Sequence, residues 1–123
     1  MTSLLLKGDP LLSLIPSLVK AIDIMEYDID SEPVDQRGRR MYIERYIHGE
    51  MYRAHPEIMS VCHHHSPALV SFSCSKTPLR PLTGPAGFLG MGVPNFDIRD
   101  VDDGPVLIIV NNAQGAACAK AIA

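Results

Sequence analysis

Between Arg40 and Ala54 the apolar side chains Tyr42, Ile43, Tyr46, Ile47, Met51 and Tyr52 recur three and four residues apart. That spacing lays one stripe along an α-helix, and a helix with one apolar side must be laid against another layer. His55-Pro56 ends the run, because a residue before proline is pushed out of helical conformation. Ahead of it, Ile22, Ile24, Tyr27 and Ile29 lie near a two-residue period and predict a half-exposed strand over Ala21 to Asp30, followed by the polar loop SEPVDQRGRR. Behind it, Ile58 to His65 is a short β-rich run. Ser66-Pro67 then supplies an N-cap and first-turn proline for a helix through Lys76.

The rest of the chain divides by its punctuation. Pro16 makes Pro10 to Lys20 a short helix or an irregular covering segment. TPLRPLTGPAGFLGMGVPNFDIRDVDDG is dense in glycine and proline and predicts loops, with short strands around Leu79 and Phe96 to Arg99. Pro105 to Val110 is a fully apolar strand. Asn111 or Asn112 can cap a small-residue helix, Asn112 to Ala121, that runs close to the last residue.

With 123 residues and 46% apolar content, the chain has the core of one domain. Its 14 acidic and 11 basic side chains are mixed, for a net charge of −3, with no basic stripe to track a phosphate backbone, so nucleic acid is not an expected partner. Cys62, Cys74 and Cys118 are an odd number at unrelated spacings and fit a reducing, cytoplasmic setting. The apolar N-terminus is broken by Lys7, Asp9, Pro10 and Pro16, so no targeting signal or membrane span is expected.

The chemistry concentrates in VCHHHSP. Side chains alternate across an extended strand, so His63 and His65 share one face and His64 takes the other, where it faces solvent or an interface. His63 and His65, about 7 Å apart along the backbone, can tilt their ring nitrogens onto one divalent ion. A catalytic site of that kind wants a third donor and an open position. The preceding helix offers Glu44 and His48, one turn apart on a shared face, whereas Glu50 has Arg53 three residues on as an ion-pair partner. Arg80 and Arg99 are the cations placed to meet a substrate carboxylate, with a structural ion pair as the competing role for each. Tyr46 and Tyr52 read as core-facing helix residues.

The run IERYIHGEMYRAHPEIMSVCHHHSPALV resembles the core of the class II aldolase/adducin family. There a glutamate precedes a helix, an Arg-Pro or His-Pro break follows, and a Val-x-His-x-His-Ser-Pro strand supplies two metal ligands. The likeness continues through TPLRPL, AGFLGMGVPNFDIRD and the final strand and small-residue helix, from about Ile24 onward. ERYIHGEMYRAHP and the Gly-Val-Pro-x-Phe-Asp-Ile-Arg segment resemble the branch that holds aromatic-acid and pyridine-dicarboxylate decarboxylases.

The resemblance implies that His63 and His65 bind a divalent metal, zinc first and manganese or cobalt as alternatives. Glu44 would act as the acid/base, able to touch the metal when no substrate is bound. The implied enzyme is a carbon–carbon lyase, a decarboxylase or aldolase, working through a metal-stabilised enolate on a small carboxylated or hydroxylated carbonyl compound. Two alternatives stand beside it: an isomerase or cyclase of a biosynthetic pathway using the same metal site, and a non-catalytic adducin-like interaction module.

The fold expected over 1–123 is a single, partial domain of α/β class, an abbreviated class II aldolase-like fold. A mostly antiparallel sheet of Ala21–Asp30, Ile58–His65 and Pro105–Val110 would be covered by helices Arg40–Ala54, Ser66–Lys76 and Asn112–Ala121. Its uncovered edges imply a homo-oligomer. Truncation at both ends is expected. The family's third metal histidine lies in a His-Gly strand beyond Ala123, and no asparagine precedes Asn95 to form the substrate-gripping Gly-Asn-x-Ser loop. Glu44 as a permanent ligand, His48, or a residue of another subunit would complete the metal's shell.

Overall fold

A computed structural model of the chain describes residues 4–7, 19–105 and 107–122. Of Pro10 to Lys20, only residues 19 and 20 fall among these. The chain divides into two compact units, Met1–Val61 with Asp97–Ala123, and Cys62–Phe96.

In the first unit, β1 (Leu4–Lys7) pairs antiparallel with β2 (Ile24–Tyr27), in the register Leu4 to Tyr27 and Lys7 to Ile24. The two-residue period is present over β2 but in the opposite phase from the expected one at Ile24. Met25 and Tyr27 are fully buried, while Ile24 and Glu26 face out. Met41, Tyr42 and Tyr52 pack against that buried pair. The chain then turns at Ser31, which takes a positive φ of 67° and is fully buried. Asp28 holds the turn, its carboxylate accepting from the Asp30 and Glu32 amides at 2.9 Å.

Helix α1 (Arg45–Ala54) ends at His55 as expected, but starts at Arg45 rather than Arg40. The Tyr42 amide donates to the buried Tyr27 hydroxyl at 3.2 Å, which ties this residue to β2, and the residues just before Arg45 turn rather than wind. Helix α3 (Asn112–Ala121) has the expected bounds, and its cap is Asn111, whose side chain accepts from the Gln114 amide at 2.9 Å. The two helices meet closely because Gly115 has no side chain: a Cβ there would lie 2.6 Å from the Tyr46 carbonyl oxygen. His55 Nε2 donates to the Ala119 carbonyl at 3.1 Å, joining the two helix ends. Gln114, buried, ties the preceding segment down by donating to Asp102 at 2.6 Å and accepting from the Val110 amide at 2.8 Å.

Two expected strands differ. Ile58–His65 and the described part of 105–110 form no strand and pair in no ladder, with bends at Pro105 and Ile108. The paired strands among the described residues are β1 and β2, which keeps the fold in the α/β class; a larger antiparallel sheet does not form among these residues. Ile98–Asp100 is a short 3₁₀ turn rather than a strand, because the Asp97 carboxylate accepts from the Arg99 amide and caps it. Leu79 likewise lies in irregular backbone.

The second unit holds α2 (Pro67–Ser73), with Pro67 at its first position, and a 3₁₀ segment over Gly84–Leu89. Helix α2 stops at Ser73 rather than Lys76. The hydroxyls of Ser73 and Ser75 bond back to the Val70 and Phe72 carbonyls, offering the backbone an alternative to helix. Ser66 precedes the helix without a side-chain cap bond. None of residues 62–96 is buried.

Candidate metal-binding and acid/base residues

Within the second unit, the extended backbone before α2 brings His63 and His65 together. Their Nε2 atoms lie 2.8 Å apart and their ring centroids 4.8 Å apart. The alternation read from the sequence thus places both on one side although the segment pairs with no strand. His64 is exposed and turned back on its own chain, its Nδ1 accepting from the Ser66 amide at 3.2 Å. That bond leaves the proton of a neutral His64 ring on Nε2. His63 and His65 instead bring their Nε2 atoms within hydrogen-bond distance of each other, one ring donating to the other. At a tetrahedral zinc with Zn–N of ~2.0–2.1 Å two nitrogens stand roughly 3.3 Å apart, so a small opening of the pair admits the ion.

Within the first unit, Glu44 stands at the N-cap of α1, partly buried, with its Oε2 at 3.5 Å from the Tyr42 hydroxyl. Burial first, and the Glu44 charge second, push the Tyr42 phenol up to about 12. His48, one turn along α1, is buried and meets the Tyr42 ring edge-on at 6.1 Å between centroids. Glu50 is buried and pairs with Arg53 at 3.4 Å, as its spacing suggested. Tyr52 is a core residue whose hydroxyl also accepts from the Val61 amide at 3.2 Å.

Arg45 is the side chain that local pattern missed. It is 7% exposed, donates to the carbonyls of Ser31 and Tyr42 at 2.7 and 3.2 Å and to the Tyr46 hydroxyl at 2.6 Å, and stacks 4.3 Å over the Tyr46 ring. The sequence shows a polar helix position there, and only the fold reveals that the guanidinium is enclosed. Tyr46 is therefore an acceptor for this cation rather than a plain core residue. Arg99 forms the ion pair expected as its competing role, with Asp97, and Arg80 is exposed. Arg99 holds the Asp97 carboxyl down to about 2, through its side chain first and its backbone amide second.

Among the described residues no helix is long and apolar enough to cross a membrane. A model of the family described as "Class II Aldolase and Adducin N-terminal domain" matches residues 14–123. The chain is also 38% identical over 112 residues to "Decarboxylase tropJ" of Talaromyces stipitatus, covering 87% of this chain and 42% of that protein. The family match takes in every residue singled out above and spans nearly the whole sequence, so the chain belongs to the class II aldolase and adducin family.

Proposed function

We propose that the chain carries the metal-binding and proton-transfer part of a carbon–carbon lyase, a decarboxylase or aldolase acting on a small carboxylated or hydroxylated carbonyl compound. The observation that carries this reading is the His63–His65 pair, two imidazoles whose Nε2 atoms approach to 2.8 Å. Membership of the family would add the Glu44 carboxylate, and one carboxylate with two imidazoles is a donor set chemically suited to a divalent ion, zinc first, with manganese or cobalt as alternatives. The name of the relative from Talaromyces stipitatus supports decarboxylation over other lyase chemistry.

When bound, the divalent ion supplies Lewis-acid stabilisation of the negative charge that develops on a carbonyl oxygen as a neighbouring carbon–carbon bond breaks. His63 and His65 would hold it. Glu44 moves the proton that ends the reaction, delivering it to the carbon from which carbon dioxide or an aldehyde has departed. His48 is a further ligand candidate on the same helix, set back against Tyr42. Arg80, exposed, is available to a substrate carboxylate, whereas Arg99 would have to exchange Asp97 for it. Exposed Leu82, Phe88 and Met91 support assembly as a homo-oligomer, and three free cysteines support a cytoplasmic setting.

The test is release of carbon dioxide or aldehyde from a panel of aromatic and aliphatic carboxylated carbonyl compounds, wild type beside Glu44→Gln. The expected result is turnover by the wild type that falls by ~10²–10⁴ in the variant, both assayed with the divalent metal in excess so that a weakened site is still filled. Full activity in Glu44→Gln would remove it from the acid/base role.

A further inference from the structure

We infer that Tyr42 is a positioning residue for Glu44, holding its carboxylate through the phenol hydroxyl and so fixing where the acid/base stands. This rests on the reading of Glu44 as the acid/base beside the metal.

The case is built from how firmly Tyr42 is itself held. Its amide donates to the hydroxyl of Tyr27, a fully buried residue of β2. Its carbonyl accepts from Arg45, whose guanidinium is enclosed and also anchored to the Ser31 carbonyl. Both backbone polar atoms are thus tied to buried side chains. The ring packs against the Met25–Tyr27 core and meets the buried His48 edge-on. A side chain pinned at its backbone and on its ring has little freedom left, and its hydroxyl comes to 3.5 Å from Glu44 Oε2.

A phenol O–H beside a carboxylate donates to it. The separation is long for such a bond, and contacts of this kind tighten when metal or substrate engages the carboxylate's other oxygen. Residues that orient a ligand or base in this way commonly contribute ~10–100-fold in metal affinity or activity. At two residues ahead of Glu44, Tyr42 also falls in the apolar helix pattern, which is why the sequence disguises it as a plain helix residue.

Tyr42→Phe keeps the ring and both backbone ties and removes only the hydroxyl. With glutamate labelled by ¹³C at Cδ, the metal-free variant should show the Glu44 resonance moved and the other glutamates unchanged, at an unaltered thermal transition. In cobalt(II) titrations followed by visible absorption, Tyr42→Phe should bind about 10-fold more weakly. Tyr42→Phe/Glu44→Gln should bind no more weakly than Glu44→Gln alone, since Tyr42 acts through Glu44. An unmoved Glu44 resonance, or additive losses in the double variant, would overturn the inference. Loss of the thermal transition in Tyr42→Phe would assign the hydroxyl to the fold and overturn it too. A wild type that takes no cobalt while the Glu44 resonance still responds to Tyr42→Phe would sink the metal-centre reading and uphold the Tyr42–Glu44 contact.

Discussion

The two units of the chain are built on different terms. Met1–Val61 with Asp97–Ala123 contains every buried residue found among the described ones, including Met25, Tyr27, Met51 and Ala119, and the enclosed polar side chains Arg45, His48, Glu50 and Gln114. Cys62–Phe96 buries none, and exposes Leu82, Phe88 and Met91 almost completely. In the first unit side chains are fixed by partners distant in sequence, as when Arg45 bonds to Ser31 and His55 to Ala119. In the second, most side-chain bonds are short-range, such as those of the Ser71, Ser73 and Ser75 hydroxyls to carbonyls three or four residues back, with Asn95 donating to the Ser73 carbonyl as a longer tie. The proposed acid/base stands on the unit with the buried core and the imidazole pair on the one without. A bound ion would give the histidine segment the fixed partner that its own packing does not provide.

The sharpest way to break this comparison is to force the helices of the first unit apart. Gly115→Ala would put a Cβ 2.6 Å from the Tyr46 carbonyl oxygen and 3.1 Å from Glu50 Cγ. The backbone oxygen cannot swing aside, so a loss of about 2–3 kcal/mol is expected in denaturant unfolding. Unchanged stability would mean that α1 and α3 do not pack as described. A smaller loss, about 1 kcal/mol, is expected for Asn111→Ala, which removes the acceptor of the Gln114 amide at the start of α3. Circular dichroism melts would read it.

The second unit should answer differently. Met91→Ser, at a position 99% exposed in the single chain, is expected to change unfolding by less than ~0.5 kcal/mol at a dilution where the chain is monomeric. A loss of the Gly115→Ala size at that dilution would show that this surface is packed within the chain and is not left for the proposed oligomer. The smallest effect is at Asp97. Its carboxyl, held down to about 2 by Arg99, contributes stability above the ordinary carboxylate range, lost as pH falls from ~3.9 through the folded value. Because the pair lies at the solvent-screened surface, its effect on unfolding should be slight. NMR titration should show Arg99→Gln returning the Asp97 midpoint toward its ordinary value.

Local signals were legible where a local cause decides the outcome. The Asn111 cap, the stop at His55-Pro56 and Pro67 opening α2 all stand where the sequence placed them. What failed depended on distant partners. The turn ahead of α1 is tied to the Tyr27 hydroxyl, fifteen residues away, and the face of β2 is chosen by Met25, which alternation alone could not rank above Ile24. The strands expected at Ile58–His65 and 105–110 have the right composition, but a strand needs a ladder partner, and none pairs with them among the described residues. For the site, alternation was enough to bring His63 and His65 to one side. It could not reveal Tyr42 or the enclosed Arg45, because both are defined by what the fold lays over them.

The central claim is that VCHHHSP is a working metal site, and elemental analysis of tag-free protein tests it most directly, wild type beside His63→Ala/His65→Ala. The prediction is about one divalent ion per chain in the wild type and none in the double variant. A wild type that stays metal-free after zinc, manganese or cobalt is supplied would contradict it.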